Sequence, residues 1–244
     1  MPTTRDNGTP QYNMPAAQEI QNHDRWIQAV ALDMDGLTLN TEDLYEEVGT
    51  ELMARRGKLF RDEVRSQMMG LPAPKAYEVL IRAEGLTESW EELHRESDLI
   101  FEGILSDRVQ PMPGLIALLD QLDRLALPRC IATSSNLPFA TLALGLAGVL
   151  PRIDFILTAA DVREGKPAPD IYLLAASRMN TSANRMLVLE DSSIGTRAGV
   201  RAGAYVISVP SRHTLGSNFE GAQQVVESLE AASIYEALFA KNAK

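Results

Sequence analysis

A doubly wound α/β sheet with an inserted all-helical unit is the fold class that three features of the sequence predict. Short, nearly continuous apolar runs alternate with segments of helical period, as in parallel strands buried on both faces and joined by crossover helices. Several of those runs end in acids or hydroxyls, and ligands of such sheets bind beyond the carboxyl ends of the strands. Between the first and second runs, residues 41 to about 111 carry helical signals only. The expected layout is a polar tail over 1–24, a core built from 25–40 and 112–244, and a helical insert over 41–111.

The tail is rich in Pro, Asn, Gln and Thr and has no periodicity. Trp26 to Leu32 is the first strand, and it runs into Asp33-Met34-Asp35-Gly36. Alternate side chains of a strand share a face, so Asp33 and Asp35 leave from the same side while Gly36 lets the backbone turn. Two carboxylates at the end of a buried strand are costly to desolvate unless a cation or proton compensates. Two acids and a glycine also describe an ordinary solvated turn. A calcium loop of the EF-hand type is set aside, because the glutamate it needs at its twelfth position would fall on Leu44.

From Thr41 the period becomes helical. Thr41 is placed as the cap, Glu42 and Asp43 favour the positive end of the dipole, and Leu44, Val48 and Leu52 follow at four-residue spacing. A second helix leads to Gly70, with Met68-Met69 read as helix packing. Pro74 suits the first turn of a third helix, and Ser89 with Glu92 forms a capping box for a fourth. Arg55, Arg56 and Lys58 read as a solvated helix end.

Strands then resume. After a helix opened by Pro113, Arg129 to Thr133 is an apolar strand ending in Thr133-Ser134-Ser135-Asn136. A helix over Pro138 to Ala147 precedes the strand Phe155 to Thr158, and Gly165-Lys166-Pro167-Ala168-Pro169-Asp170 leads into another helix. The strand Met186 to Leu189 ends in Glu190-Asp191. A helix follows whose Gly195 and Gly199 permit close packing, then the strand Tyr205 to Val209 and a terminal helix holding Ile234 and Leu238.

Composition narrows the function classes. The 244 residues, 45% apolar, can hold one sizeable α/β domain with a smaller companion. No apolar run approaches the length that crosses a bilayer, and the N-terminus lacks the charged-then-apolar pattern of a signal peptide. Cys130 stands alone, which excludes an intramolecular disulfide and fits a reducing, cytoplasmic setting; in its apolar run it reads as a small core residue. A net charge of −10 without a basic stripe argues against nucleic-acid or membrane partners. His23, His94 and His213 are scattered and fit no nucleophilic pattern.

On one sheet edge the strand ends would assemble Asp33, Asp35, Glu190 and Asp191 with the hydroxyl of Thr133 and one cation, Lys166. Hard oxygen donors of this kind point to magnesium rather than zinc. Asp33-Met34-Asp35-Gly36, Thr133, Gly165 to Asp170 and Leu189-Glu190-Asp191-Ser192 resemble, in order, the four motifs of the haloacid dehalogenase superfamily. The stretch through Tyr45, with the insert straight after strand one, looks like the beta-phosphoglucomutase-like branch of phosphatases. The likeness spans about residues 27 to 210.

That resemblance implies a magnesium-dependent phosphatase acting on a small phosphorylated metabolite, a sugar phosphate or a nucleotide-derived ester, as a monomer or weak dimer. Asp33 would be the nucleophile that forms an aspartyl-phosphate, and Asp35 the acid and then the base. Magnesium would be held by Asp33, the Asp35 backbone carbonyl and Asp191, with Glu190 alongside. Thr133 would bond the transferring phosphoryl oxygens, and Lys166 would offset the crowded negative charge. The insert would be a cap closing over the site, hinged at Thr41 to Asp43 and near Met112, with Tyr45, Lys75, Ser134 and Asn136 as substrate contacts. Asp35 argues against the dehalogenases, whose chemistry needs no leaving-group proton. A receiver domain would not carry its phosphorylated aspartate on the first strand. The alternative is a phosphosugar mutase, whose relatives have histidine where Tyr45 stands and an arginine-bearing run where this chain has Leu71-Pro72-Ala73-Pro74. A non-catalytic phosphate binder is disfavoured because every chemical position is filled.

Overall fold

The computed structural model describes residues 26–68, 71 and 73–240. The expected tail with His23, and the readings placed on Met69, Gly70 and Pro72, lie outside the described residues. Six parallel strands form one sheet: β1 (Ala29–Leu32), β2 (Arg129–Ala132), β3 (Phe155–Leu157), β4 (Met186–Glu190), β5 (Tyr205–Ser208) and β6 (Gln224–Val225). Their spatial order is β3-β2-β1-β4-β5-β6. The chain winds outward from β1 to β3, crosses back, and winds outward again from β4. The reversal puts a switch point between β1 and β4, where a crevice opens at the carboxyl ends.

Nine helices complete the described fold: α1 (Thr41–Ala54), α2 (Asp62–Met68), α3 (Ala73–Glu84), α4 (Trp90–Arg108), α5 (Leu115–Arg124), α6 (Leu137–Leu146), α7 (Asp170–Arg178), α8 (Ser193–Arg201) and α9 (Ala232–Phe239). Strand alternation sorts the core into two layers. Val30, Leu32, Ile131, Leu187 and Ile207 face α5, α6 and α9, whereas Ala29, Ala31, Cys130, Val188 and Val206 face α7 and α8. Gly199 brings α8 onto that second layer, since a Cβ there would stand 2.8 Å from Val206 and 3.1 Å from Val188. No helix among the described residues is long and apolar enough to cross a membrane.

α1 to α4 all lie between β1 and α5. The two chain crossings that join them to the sheet run side by side: Leu39 bridges Pro111, the Asn40 N–H donates to the Gln110 carbonyl at 3.1 Å, and the Met112 N–H donates to that of Thr38 at 3.0 Å. The Asn40 carboxamide ties them further, accepting from the Gln110 N–H at 2.7 Å and donating to the Arg108 carbonyl at 3.1 Å. Two expectations need correction here. Trp26 does not join β1: its N–H bonds the Ala240 carbonyl and its ring lies under Arg185, because β4, the strand β1 must pair with, begins only opposite Ala29. Thr41 is not the cap of α1 but its first residue, and its hydroxyl is engaged elsewhere. The Ser89–Glu92 capping box of α4 forms as read from the sequence.

Candidate active site

The site grows out of three neighbouring strand ends. Asp33 follows β1 and is still held by the sheet, its N–H donating to the Leu189 carbonyl at 3.0 Å. Thr133 follows β2 and is held the same way through the Leu157 carbonyl at 2.9 Å. Backbone pairing thus carries order right up to the two side chains. The Thr38 hydroxyl, from the turn that Gly36 opens, donates to the Asp33 carbonyl.

Lys166 spans these ends. Its ammonium donates to Asp33 Oδ1, to the Ala132 carbonyl at 2.8 Å and to Glu190 Oε1 at 2.6 Å, so its three N–H groups meet the ends of β1, β2 and β4. Burial alone would lower the Lys166 pKa, but the Asp33 and Glu190 carboxylates outweigh it and hold it well above its ordinary value. The lysine is a fixed cation.

Asp35 is gripped by three hydroxyls. Oδ1 accepts from Thr41 at 2.7 Å, and Oδ2 accepts from Thr133 at 3.0 Å and Ser135 at 2.8 Å. Thr133 therefore points its hydroxyl at Asp35, while its own oxygen accepts from the Ser135 N–H at 2.9 Å.

Glu190 and Asp191 close the far side. Glu190 is fully buried; Oε1 accepts from Lys166 and, at 2.6 Å, from the Tyr172 hydroxyl, and Oε2 accepts from the Ser192 hydroxyl at 3.0 Å. A Cβ at position 195 would overlap that carboxylate, so Gly195 exists for Glu190. Gly36, at φ +79°, plays the same part for Asp191: a Cβ there would sit 2.6 Å from Oδ2. The Ser211 hydroxyl donates to that same oxygen at 3.2 Å.

One lysine cannot neutralise three buried acids. Ligand oxygens of Asp33, Glu190 and Asp191 lie within 4.8 Å of one another. Burial, followed by the charge of Glu190, raises the Asp33 pKa well above the carboxylate range. Burial, with Asp33 and Glu190 adding to it, pushes Asp191 up to about 9. Such a cluster calls for a second cation, and an all-oxygen donor set suits magnesium. A cavity of about 180 Å³ is lined by Glu42 and by Gly36 and Ser211, the two residues set against Asp191. The residues present fit the ion.

The remaining expected contacts scatter. Tyr45 stands beside Asp35 and Ser135. Ser134 and Asn136 are exposed, and the Asn136 carboxamide oxygen caps α6 by accepting from the Phe139 N–H at 2.9 Å. Lys75 is exposed on α3. Arg55 and Arg56 are not simply solvated: they pair with Glu51, Glu88 and Glu96 inside the insert. A groove of about 690 Å³ lies along α1 and α4 at Glu47, Glu51 and Leu99, and touches none of the strand-end residues.

Four side chains at the site were not singled out from the sequence. Ser135 had a usable signal, since it shares Thr133's side of the chain by the same alternation that pairs Asp33 with Asp35. Glu42 read as a helix-start acid; burial and the neighbouring Asp35 raise its carboxyl to about 7. Ser211 and Tyr172 carried no signal, Tyr172 sitting in an apolar helical stripe. His213, also passed over, is buried between Asp43, which accepts from Nε2–H at 2.7 Å, and the Arg65 guanidinium at Nδ1, tying the loop after β5 to α1 and α2.

Tyr172 yields a prediction. Tyr172→Phe keeps the ring under Lys166, 5.2 Å from the ammonium, but removes one charge-assisted bond to Glu190. It is expected to cost about 1.5–3 kcal/mol, seen as a lower urea midpoint at unchanged m-value.

Comparison with known proteins now adds to the geometry. The family of haloacid dehalogenase-like hydrolases matches residues 27–203. A Drosophila melanogaster protein named "Probable pseudouridine-5′-phosphatase" is 34% identical, over 84% of this chain and 91% of its own. The (DL)-glycerol-3-phosphatase 2 of Arabidopsis thaliana is 33% identical, over 83% and 88%. The crystal structure of a hydrolase of the same family from Deinococcus radiodurans, with bound phosphate and sodium, superposes with a TM-score of 0.76 at 25% identity, covering 89% of this chain and all of that one. With its strand-end acids, its lysine and its helices set between β1 and α5, the chain belongs to the haloacid dehalogenase-like hydrolases.

Proposed function

We propose that this chain is a magnesium-dependent phosphatase that hydrolyses a small phosphomonoester through an aspartyl-phosphate on Asp33. The observation that carries the reading is the division of labour between the two aspartates: Asp33 lies against Lys166 in the acidic cluster, while Asp35 is held apart by three hydroxyls. The relatives named above as phosphatases support the reaction class.

In this reading the Asp33 carboxylate attacks phosphorus, and the bond from phosphorus to the ester oxygen breaks. Asp35 delivers a proton to that departing oxygen, then takes one from the water that attacks the aspartyl-phosphate. Lys166, fixed by Ala132 and Glu190, balances charge on the nucleophile and the phosphoryl oxygens. Thr133 and Ser135 keep Asp35 aimed until the ester arrives. Bound at Asp33, the Asp35 carbonyl and Asp191, with Glu190 alongside, magnesium would supply Lewis-acid stabilisation of the phosphoryl charge. The insert over 41–111 acts as the cap, with the paired crossings at Asn40 and Gln110 as its hinge. A mutase must grip a second phosphate, and Arg55, Arg56 and Arg61 of the cap are already paired with cap glutamates, so hydrolysis is preferred.

The test is release of inorganic phosphate from a panel of phosphomonoesters, with magnesium and after chelation, with sugar isomers assayed in parallel. Release that needs magnesium, without isomer formation, is the expected result; isomer formation without release would favour the mutase. Stability should follow the same ion. Asp191 titrates near 9 in the metal-free fold and about 3.9 when unfolded. Between those values the native state binds more protons than the unfolded one, so metal-free stability falls as pH rises from about 4 to about 9. Magnesium at about 100 times its Kd should raise Tm by roughly 5–10 °C at pH 8, and by less at pH 5.5. An equal shift at both pH values would contradict the cluster as the metal site.

A further inference from the structure

Because Asp35 protonates the departing oxygen, whatever stands beyond Asp35 meets the alcohol half of the ester. Ser135 donates to Asp35, and the Tyr45 side chain stands next to both. From there an aromatic wall begins. The Tyr45 ring on α1 packs against Phe101 on α4, with centroids 4.8 Å apart, and against Phe139 on α6 at 6.3 Å. Phe101 meets Phe139 edge-on at 5.3 Å and 72°. Two rings come from the cap and one from the core, so the wall crosses the cleft that a closing cap would seal.

Tyr45 is 44% exposed, whereas Phe101 is buried. The Tyr45 hydroxyl end stands beside Asp35 and Glu42, where burial and then those two charges raise it well above the ordinary tyrosine value. Packed on two phenylalanines beside Asp35 and still nearly half accessible, the ring offers an open aromatic face. The charges nearby are mainly negative, with Arg65 as a counter-charge to Glu42. Glu42 flanks Asp35, and the cap arginines Arg55, Arg56 and Arg61 are held by glutamates. A second phosphate on the alcohol would face carboxylates.

Resting on the phosphatase reading, we infer that the preferred substrate is the monophosphate of an uncharged, ring-bearing alcohol of the nucleoside 5′-phosphate type, its ring lying on Tyr45 with Phe101 and Phe139 behind. An aromatic face accepts a flat partner of any hydrogen-bonding pattern. A short acyclic polyol would leave that face wet and gain nothing from it.

The experiment measures kcat/KM for phosphate release by the full chain with magnesium, from uridine 5′-monophosphate, glycerol 3-phosphate and a hexose bisphosphate. Wild type should prefer the nucleotide by about tenfold or more. Tyr45→Leu, which keeps apolar volume but no aromatic face, should lower the ratio of nucleotide to glycerol phosphate by about tenfold, chiefly through KM. Tyr45→Phe should retain the ratio. If the three rings serve only to pack the cap on the core, Tyr45→Leu lowers both substrates alike and the ratio stands still, which overturns the inference. Preference of the wild type for glycerol 3-phosphate or the bisphosphate overturns it as well, while leaving the phosphatase reading intact. No release from any of the three overturns both.

Discussion

Asp33→Asn is expected to abolish turnover, lowering kcat by about four orders of magnitude or more, without loss of the fold. An amide of the same shape cannot attack phosphorus, so the covalent route closes. Its surroundings tolerate the change. Lys166 keeps Glu190 and the Ala132 carbonyl as acceptors, and the backbone bond from Asp33 to Leu189 does not involve the side chain. Removing one of three crowded acids also relieves the repulsion that raises Asp33 and Asp191 in the metal-free protein. The metal-free variant should therefore melt no lower than wild type at pH 8, and it should retain substrate binding. Phosphate release at a near-normal rate would show that another group does the chemistry. An inactive variant that has also lost its cooperative melt would leave folding as the cause, which makes the melting curve part of the measurement.

The strand ends were legible in the sequence because the period-two alternation and the apolar runs say which residues leave the sheet together. Asp33 with Asp35, and Glu190 with Asp191, stand out as charges at the ends of strands with no other reason to carry them. Lys166 stands out as a cation just ahead of two prolines. What could not be read is how these groups are held. Tyr172 is indistinguishable from a core residue until the topology places α7 over β1 and β2, when its hydroxyl proves to end on Glu190. The Asn40 carboxamide is claimed by the second crossing 70 residues later, a pairing without local trace. Thr41 shows the same limit: its hydroxyl bonds Asp35 across a turn whose shape Gly36 and Thr38 determine. Local signals name the chemistry, whereas the contacts that orient it are long-range.

Glycine shows how sequence and site constrain each other. Gly195 and Gly36 look alike as helix and turn glycines, yet each leaves room for one carboxylate, of Glu190 and of Asp191. Both clearances serve acids of the buried Asp33, Glu190 and Asp191 cluster. The Asp35 carboxylate, by contrast, is held by three side-chain hydroxyls, one of them from the first residue of α1. The acid cluster is thus fitted by backbone clearances of the core, whereas Asp35 is tied by a hydroxyl to the start of α1.

Lys166→Met carries the largest expected effect on stability. The ammonium is the one positive group touching Asp33 and Glu190 among the described residues, and it is almost fully buried with them. Methionine matches its length and keeps the contact with the Tyr172 ring, so the change isolates the charge. Breaking a buried ion pair by removing one partner costs about 3–5 kcal/mol, since the remaining charge is left uncompensated. Two carboxylates are left here, and one of them must take up a proton to stay buried. The loss should therefore be greater at pH 8 than at pH 5, where that proton is cheaper to bind. Magnesium should recover part of it, because a second cation then faces Asp33, yet phosphate release should stay near background: the phosphoryl oxygens would still lack the positive charge that Lys166 brings from the β2 side. Arginine is not expected to rescue either property, because a planar fork cannot reproduce three bonds diverging to three strand ends. Urea unfolding at the two pH values, with and without magnesium, reads all of these outcomes. A variant as stable as wild type at pH 8 without the ion would mean that Asp33 and Glu190 are not ionised together in the native protein, and that the lysine is dispensable to the fold.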